Sequence, residues 1–289
     1  MKKIAVVSGK GGTGKTSVTA ALTLLAGRKH AVVAVDCDVD APNLGKILRV
    51  KILEEKEIFT SEKAKVNKNL CKKCNACMRA CNFSAIKPGK NGFPEIAEVY
   101  CEGCGACVLA CPNGAITLER VRNGKIVTGK SEFGMSFAGG VLDIGESGSG
   151  KIITEVKKKA CELANKEKAK LVLIDSSPGI GCPVIASLST ADFALLVTEP
   201  SLSAFHDLKK ILEVVEHFGM ERAAVINKAN VNERVREKIL EFCGEREVEI
   251  LAEFPFDRAF IESVQKLLPL PLITEKYNEK LLEILEFFG

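Results

Sequence analysis

Cysteines at short, regular intervals are the most reactive feature of this 289-residue chain. Eight of its twelve cysteines lie in two runs, CKKCNACMRAC at 71–81 and CEGCGACVLAC at 101–111. Thiolates grouped in this way are metal ligands, and in a reducing compartment they indicate metal binding rather than a disulfide scaffold. The members are Cys71, Cys74, Cys77 and Cys81 in the first run, and Cys101, Cys104, Cys107 and Cys111 in the second.

The spacing within each run favours iron–sulfur clusters over zinc. Zinc sites use two separated cysteine pairs, whereas three cysteines at successive i+3 steps can surround one face of a cubane. The pattern is also duplicated, because CxxCxxCxxxC followed by Ala-Ile occurs at 71–86 and again at 101–116. The sequence therefore predicts two [4Fe–4S] clusters, with zinc as the alternative. Residues 65–120 contain few large apolar side chains, and bound clusters can replace the missing core.

A second reactive feature is the glycine-rich segment GKGGTGKTS at 9–17. It matches G-x-x-x-x-G-K-[ST] and lies between an apolar strand and a helix, which is the context that a phosphate-binding loop requires. Backbone N–H groups of such a loop converge on phosphate oxygens at the positive end of the helix. The motif predicts that Lys15 reaches the β- and γ-phosphates of ATP and that Thr16 ligates Mg²⁺. The nucleotide-binding residues are Gly9, Lys10, Gly11, Gly12, Thr13, Gly14, Lys15, Thr16 and Ser17.

The elements that carry these residues alternate between strands and helices. Apolar strands are predicted at 4–7 and 31–36, with a helix over 15–28 between them, and the alternation returns from about residue 149. Continuous apolar runs of this kind are typical of a parallel sheet that is covered on both faces. Asp175 ends the strand LVLID, and the carboxyl ends of parallel strands are where such sheets bind ligands.

Composition excludes several classes of protein. The net charge of +4 is too small to indicate a nucleic-acid partner. No apolar run approaches the roughly 18–20 residues that a membrane span needs, and the short apolar run after Met1 is not typical of a signal peptide. We therefore expect a cytoplasmic protein without a membrane span.

The segment KGGTGKT, with Lys10 as an additional lysine, resembles the deviant phosphate-loop ATPases. This MinD/ParA/Mrp family includes the nitrogenase iron protein. The resemblance implies that Lys10 crosses a dimer interface to the partner's nucleotide, so that ATP binding produces a homodimer. It also makes Lys10, Lys15 and Asp38 the catalytic residues.

Further motifs of the same family can be matched in order. DCDVDAPNL at 36–44 resembles the first switch, which implies that Asp38 orients the attacking water and that Asp36 lies near Mg²⁺. LVLIDSSPGIG at 171–181 resembles the Walker B strand and second switch, which implies that Asp175 holds Mg²⁺ and that Gly179 offers its N–H to the γ-phosphate. VINK at 225–228 resembles the adenine-recognising segment, with Asn227 as its asparagine.

The cysteine runs resemble a bacterial two-cluster ferredoxin, in which the fourth cysteine of each run ligates the other cluster. This implies one cluster on Cys71, Cys74, Cys77 and Cys111, and a second on Cys101, Cys104, Cys107 and Cys81. The predicted fold class is an α/β, parallel-sheet P-loop NTPase with an inserted small α+β ferredoxin-like domain. The ATPase domain would comprise 1–62 and 121–289, with the insert at 63–120 and a hairpin and loop over 120–148.

Three functions compete at this point. In the first, an ATP-driven dimer switch gates electron transfer through both clusters to an unidentified redox partner. In the second, the chain assembles or transfers iron–sulfur clusters to an apo client protein, as Mrp-type carriers do. The third is a MinD-like positioning ATPase, which ranks last because the C-terminal segment suits docking to the sheet. Cys182 and Cys37 are expected to be small buried thiols, with a labile cluster on Cys182 as the alternative.

Overall fold

The computed structural model describes residues 1–146 and 149–288. The strands are β1 (Lys2–Val7), β2 (Val32–Asp36), β3 (Val50–Ile58), β4 (Ser61–Val66), β5 (Ile86–Pro88), β6 (Pro94–Ile96), β7 (Ile116–Val121), β8 (Gly124–Ser131), β9 (Ser136–Leu142), β10 (Leu171–Asp175), β11 (Phe193–Thr198), β12 (Glu221–Ile226) and β13 (Glu249–Glu253). The helices are α1 (Lys15–Gly27), α2 (Leu44–Ile47), α3 (Ala76–Ala80), α4 (Ala106–Leu109), α5 (Ser149–Glu167), α6 (Cys182–Leu188), α7 (Leu202–His217), α8 (Glu233–Glu245), α9 (Arg258–Lys266) and α10 (Asn278–Phe287).

A large sheet carries the phosphate loop. Its strand order over the described residues is β13-β12-β11-β1-β10-β2-β9-β8-β3. The six neighbouring pairs from β13 to β9 are parallel. The central strands β1, β10, β2 and β11 are almost entirely buried, which explains their continuous apolar sequences. The predicted parallel α/β fold is therefore confirmed.

The sheet extends further than the sequence pattern indicated. The segment 120–148, interpreted as a hairpin and loop, contributes β8 and β9 to this sheet, joined by a turn at 132–135. The outermost strand β3 was not predicted. Its sequence, VKILEEKEI, is exposed over most of its length, and charged side chains on an edge strand oppose pairing with another chain.

Helix α10 illustrates how the helices cover the sheet. It buries Leu281 and Ile284, and Phe288 packs edge-on against Phe193 of β11 with ring centroids 5.0 Å apart. This confirms that the C-terminal hydrophobic residues dock on the sheet. Over the part of the chain that the structure describes, we find no helix with the length and apolar character needed to span a bilayer.

The chain divides into two compact units. The first comprises Met1–Lys56, Ile126–Val141 and the chain from Ser149 onward; the second comprises Glu57–Lys125 and the segment that begins at Leu142. The second unit contains two antiparallel strand pairs, β4 with β7 and β5 with β6, and the short helices α3 and α4. Its buried cluster consists of two alanines, three cysteines and two isoleucines: Ala64, Ala85, Cys77, Cys101, Cys107, Ile86 and Ile116.

Candidate functional site

The phosphate loop joins the carboxyl end of β1 to the start of α1. Its glycines are required by close approaches of other groups. Gly14 has φ of +96°, and a Cβ there would lie 2.2 Å from the amide nitrogen of Asn227. A Cβ at Gly9 would lie 2.3 Å from the carbonyl oxygen of Asp207. The loop therefore presents its backbone at the N-terminus of a thirteen-residue helix, an arrangement that binds anions.

Asp175, at the end of β10, is hydrogen-bonded to the predicted loop residues. The Lys15 ammonium donates to Asp175 Oδ1 at 2.7 Å, and the Thr16 hydroxyl donates to Oδ2 at 2.7 Å. Thr19 also donates to Oδ1, at 3.2 Å. The Lys15 side chain is 6% exposed and that of Asp175 is 1% exposed. Such a buried pair is costly to break from one side, because the remaining charge is left unpaired.

Asp36 lies opposite Asp175 in the register of the neighbouring strands β2 and β10. It is fully buried and accepts hydrogen bonds from the backbone N–H groups of Asp38 and Leu44, at 3.1 and 3.0 Å. Burial and the nearby carboxylate of Asp175 raise the pKa of Asp36 to about 7. Two carboxylates so close together form a site that a divalent cation would stabilise.

Replacing Asp36 with asparagine tests this electrostatic strain. The ionised carboxyl destabilises the fold, because the pKa of Asp36 is higher in the folded than in the unfolded chain. This loss of folding stability begins near pH 4, grows up to about pH 7 and is constant at higher pH. Without Mg²⁺ or nucleotide, Asp36→Asn should therefore gain roughly 2–3 kcal/mol more stability over wild type at pH 8 than at pH 5. Calorimetric melting at both pH values measures this difference. Asp40→Asn, at an exposed carboxylate, is the control. An equal effect of Asp36→Asn at both pH values would contradict the prediction.

A cleft of about 530 Å³ opens beside the loop, which is within the usual range for a small-molecule site. Its polar lining includes the backbone of 11–17, Asp38 and Asn227, and its apolar lining includes Phe260 and Val264. The pKa of Asp38 is raised by partial burial, while the charge of Lys15 opposes that shift. Asn227 donates from Nδ2 to the carbonyl of Thr13 at 2.8 Å.

Two predicted binding groups are engaged elsewhere in this conformation. The N–H of Gly179, at φ of +98°, donates to the carbonyl of Ser8 at 2.9 Å. The Lys10 ammonium contacts Glu199 Oε1 at 3.3 Å and donates to the Ser203 hydroxyl at 3.0 Å. Lys10 thus lies against the end of β11 and the start of α7 of its own chain.

Glu199 and Lys228 belong to the same polar group, and sequence reasoning missed both roles. Lys228 contacts Glu199 Oε2 at 2.6 Å and donates to the carbonyl of Gly12 at 2.9 Å. Burial alone would raise the pKa of Glu199, but hydrogen bonds and charge from Lys228 and Lys10 lower it. Glu199 follows an apolar strand directly, as Asp175 does, so the strand-end rule could have found it.

Seven of the eight clustered cysteines fall into two groups in the second unit. Cys77 is the second residue of α3. Burial, together with the nearby thiols of Cys71 and Cys111, raises the pKa of Cys77. Cys107, the second residue of α4, has Cys101, Cys104 and Cys81 as charge neighbours. The first group therefore contains two cysteines of the first run, and the second group contains three of the second run. Each group also includes the last cysteine of the other run. Cys74 is exposed and is not among the neighbours of Cys77.

Backbone amides donate to three of these sulfur atoms. The donors are the N–H groups of Ala64 to Cys101 at 3.4 Å, Lys73 to Cys71 at 3.4 Å and Ala115 to Cys111 at 3.2 Å. Among residues 1–146 and 149–288, no three His, Cys, Asp or Glu side chains are arranged to hold a single metal ion.

The remaining cysteines have different surroundings. Cys37 is buried as expected, and Cys243 is also buried. The expectation that Cys182 is a buried thiol is wrong, because it is exposed at the first position of α6. The sequence pattern could not show this, since the residue belongs to a segment of mixed polarity that follows the strand β10.

The chain is similar to solved structures of MinD proteins. It superposes on the septum site-determining protein MinD of Pyrococcus horikoshii, solved with Mg-ADP, with a TM-score of 0.59 at 20% identity, over 100% of this chain and 96% of that one. The cell division ATPase MinD of Pyrococcus furiosus gives a TM-score of 0.59 at 22% identity, over 99% of both chains. Identities of this size show a shared fold.

Sequence comparison gives a closer relationship. An uncharacterized protein of Methanocaldococcus jannaschii, MJ0578, is 40% identical over 230 residues, which are 80% of this chain and 79% of that protein. Residues 4–270 match the model of the CobQ/CobB/MinD/ParA nucleotide binding domain. With its phosphate loop, buried Lys15–Asp175 pair and parallel sheet, the chain is a member of the CobQ/CobB/MinD/ParA nucleotide-binding family.

Proposed function

We propose that this protein is an ATPase whose nucleotide-driven dimer switch gates electron transfer through two [4Fe–4S] clusters. The observation that carries this proposal is the grouping of the clustered thiols across the two runs, in a chain whose other unit belongs to a nucleotide-binding family. Because the nucleotide site and the proposed clusters belong to one chain, we infer that nucleotide binding controls electron transfer through the clusters.

The nucleotide roles follow from the contacts around Asp175. Its carboxylate would hold Mg²⁺ together with the hydroxyl of Thr16, and Lys15 would turn from Asp175 to the phosphates. Asp36 would lie near the Mg²⁺ ion. Asp38, which lines the cleft, would orient the attacking water, and Asn227 would contact adenine.

The same proposal gives Lys10 two positions. In the isolated chain its ammonium is held by Glu199 and Ser203. In an ATP-bound homodimer it would reach the partner's nucleotide, where a phosphate offers more negative charge than one carboxylate. Lys228 would remain on Glu199 and compensate its charge when Lys10 leaves.

The cysteine unit fits iron–sulfur clusters by its donor chemistry. Eight thiols, amide donors to sulfur and a core of two alanines, three cysteines and two isoleucines suit clusters that supply much of the unit's stability. Cys71, Cys74, Cys77 and Cys111 would hold one cluster, and Cys101, Cys104, Cys107 and Cys81 the other. When bound, the clusters supply one-electron transfer. Twelve free cysteines are typical of a reducing compartment, so we propose a cytoplasmic location.

Helices α5 and α6 form a packed pair beside the proposed second switch. Helix α5 follows the second unit in the chain and packs on α6, which follows the proposed second switch. Buried Lys157 of α5 donates to the carbonyls of Ala186 and Ser187 at the end of α6, at 2.6 and 2.7 Å. Movement of the switch on ATP binding would therefore be felt by α5.

A redox titration with and without nucleotide tests the proposal. Anaerobically purified protein should contain about eight iron atoms per chain, and its midpoint potentials by EPR should shift when a non-hydrolysable ATP analogue with Mg²⁺ is added. The shift reflects the differential affinity of the nucleotide for the two oxidation states. Identical potentials in both conditions, with the analogue shown to be bound, would contradict gating.

Two other functions each have one supporting observation. The exposed Cys182 favours a cluster-transfer factor, which would pass a labile cluster to an apo client protein and lose this ability as Cys182→Ala. The likeness to MinD structures favours a positioning ATPase, which would bind vesicles through its C-terminal residues. Against that reading, α10 buries its apolar face within the first unit.

A further inference from the structure

Lys63 is a buried lysine beside one of the clustered cysteines. It lies on β4 with 1% of its surface exposed. Its ammonium donates to the carbonyl oxygen of Cys101 at 3.0 Å and lies 3.4 Å from a carboxylate oxygen of Glu146. The next residue, Ala64, donates its N–H to the sulfur of Cys101 at 3.4 Å. Two successive residues of β4 thus direct positive charge toward the same cysteine.

The internal duplication shows that the position equivalent to Lys63 carries no charge in the other half. Val66 pairs with Ile116, and Ile96 pairs with Ile86. Equivalent members of the two pairs lie thirty positions apart, as Cys71 and Cys101 do. This offset makes Phe93 the counterpart of Lys63, and Pro94 the counterpart of Ala64. Proline has no N–H to donate, and Cys71 instead receives its amide from Lys73 within its own run.

Exposed charged side chains place more positive charge beside Cys71 than beside Cys101, but their electrostatic effect is weaker than that of buried Lys63. Lys72 and Lys73 follow Cys71, whereas Glu102 follows Cys101, and all three side chains are exposed. In water the effective dielectric constant is about 80, whereas sites inside proteins behave as if it were about 20. A buried charge is therefore felt roughly four times as strongly at the same distance, and salt screens it less.

Glu146 compensates Lys63 only in part. Its carboxylate approaches the ammonium from a geometry that forms no hydrogen bond, since Oε2 has no hydrogen-bond partner among the described residues. The ammonium, by contrast, makes a direct hydrogen bond to the backbone of Cys101. The positive end of this ion pair therefore faces the cysteine.

We propose that Lys63 is a positioning residue that makes the two clusters unequal. Its charge raises the reduction potential of the cluster held by Cys81, Cys101, Cys104 and Cys107, so that the first electron resides there. This inference rests on the proposed function. The step is the addition of one electron from an external one-electron donor, with no bond broken and no proton moved. Positive charge near an iron–sulfur centre stabilises its reduced, more negative state.

Two variants with opposite expected shifts test the inference. The full chain is purified anaerobically and titrated with dithionite while the two EPR signals are followed. Lys63→Met removes the ammonium and should lower the higher midpoint potential while the lower one stays in place. Glu146→Gln leaves the ammonium uncompensated and should raise the higher potential, widening the gap. Lys65→Met is the matched control, because Lys65 is a half-exposed lysine of the same strand and its loss should move neither potential.

The outcomes separate the inference from the proposed function. Unchanged potentials in Lys63→Met and Glu146→Gln, with about eight iron atoms retained, would overturn the role of Lys63 and leave the clusters themselves established. Wild-type protein without iron would instead remove the proposed function. If Lys63→Met loses a cluster, the Glu146→Gln shift decides: an upward shift supports the inference and no shift contradicts it.

Discussion

Lys15→Ala is expected to abolish measurable ATP hydrolysis and to weaken ATP binding by at least about 100-fold. Each hydrogen bond to a charged group is worth roughly 1.5–3 kcal/mol, and Lys15 would make more than one to the phosphates. The Lys15 ammonium is buried and contacts Asp175 at 2.7 Å, and we propose that it turns from there to the phosphates. Equilibrium binding of a fluorescent ATP analogue and a phosphate-release assay measure the two effects.

The matched control is Lys10→Ala, in the same loop. Lys10 is half-exposed and lies against Glu199 rather than Asp175, so this variant should bind ATP with little change while losing ATP-dependent dimerisation. Light scattering with and without ATP measures the molar mass and therefore shows whether Lys10→Ala still forms the ATP-dependent dimer. Because Lys15→Ala also leaves Asp175 buried without its partner, which costs roughly 3–5 kcal/mol, its melting temperature must be recorded beside the binding data. A folded Lys15→Ala protein that binds ATP normally would contradict the proposal that Lys15 binds the phosphates of ATP.

Paired cysteine substitutions are expected to give the second large effect, because the pairing decides how many clusters remain. Cys77→Ala/Cys111→Ala removes two residues that are neighbours in the structure, although they come from different runs. If they ligate one cluster, the double variant should keep about four of eight iron atoms. Iron and sulfide analysis of anaerobic protein measures this directly.

The contrasting variant removes two cysteines from a single run. Cys77→Ala/Cys81→Ala should lose nearly all iron, because Cys81 lies with Cys107 in the other group. Cys243→Ala, at a buried cysteine remote in sequence from both runs, controls for the loss of a thiol and should keep the full content. The opposite ranking, with more iron retained in Cys77→Ala/Cys81→Ala, would show that each run holds its own cluster.

Local patterns were enough to predict the nucleotide unit. The phosphate loop could be placed because its glycines, lysine and threonine are contiguous, and Asp175 because it ends a buried strand. The helix predicted over 15–28 agrees with α1, which spans Lys15–Gly27. The exposed strand β3 was missed because an edge strand with many charges has no clear apolar alternation.

The sequence by itself determined the chemistry that this protein has available: a loop for phosphates, carboxylates at strand ends and two runs of thiols. Only the tertiary structure decided which groups meet. Lys10 contacts Glu199, 189 positions away, Lys63 contacts Cys101, 38 positions away, and Cys182 is exposed rather than buried. Motifs and periodicity describe near neighbours along the chain, whereas these contacts depend on strand order, register and packing between distant segments.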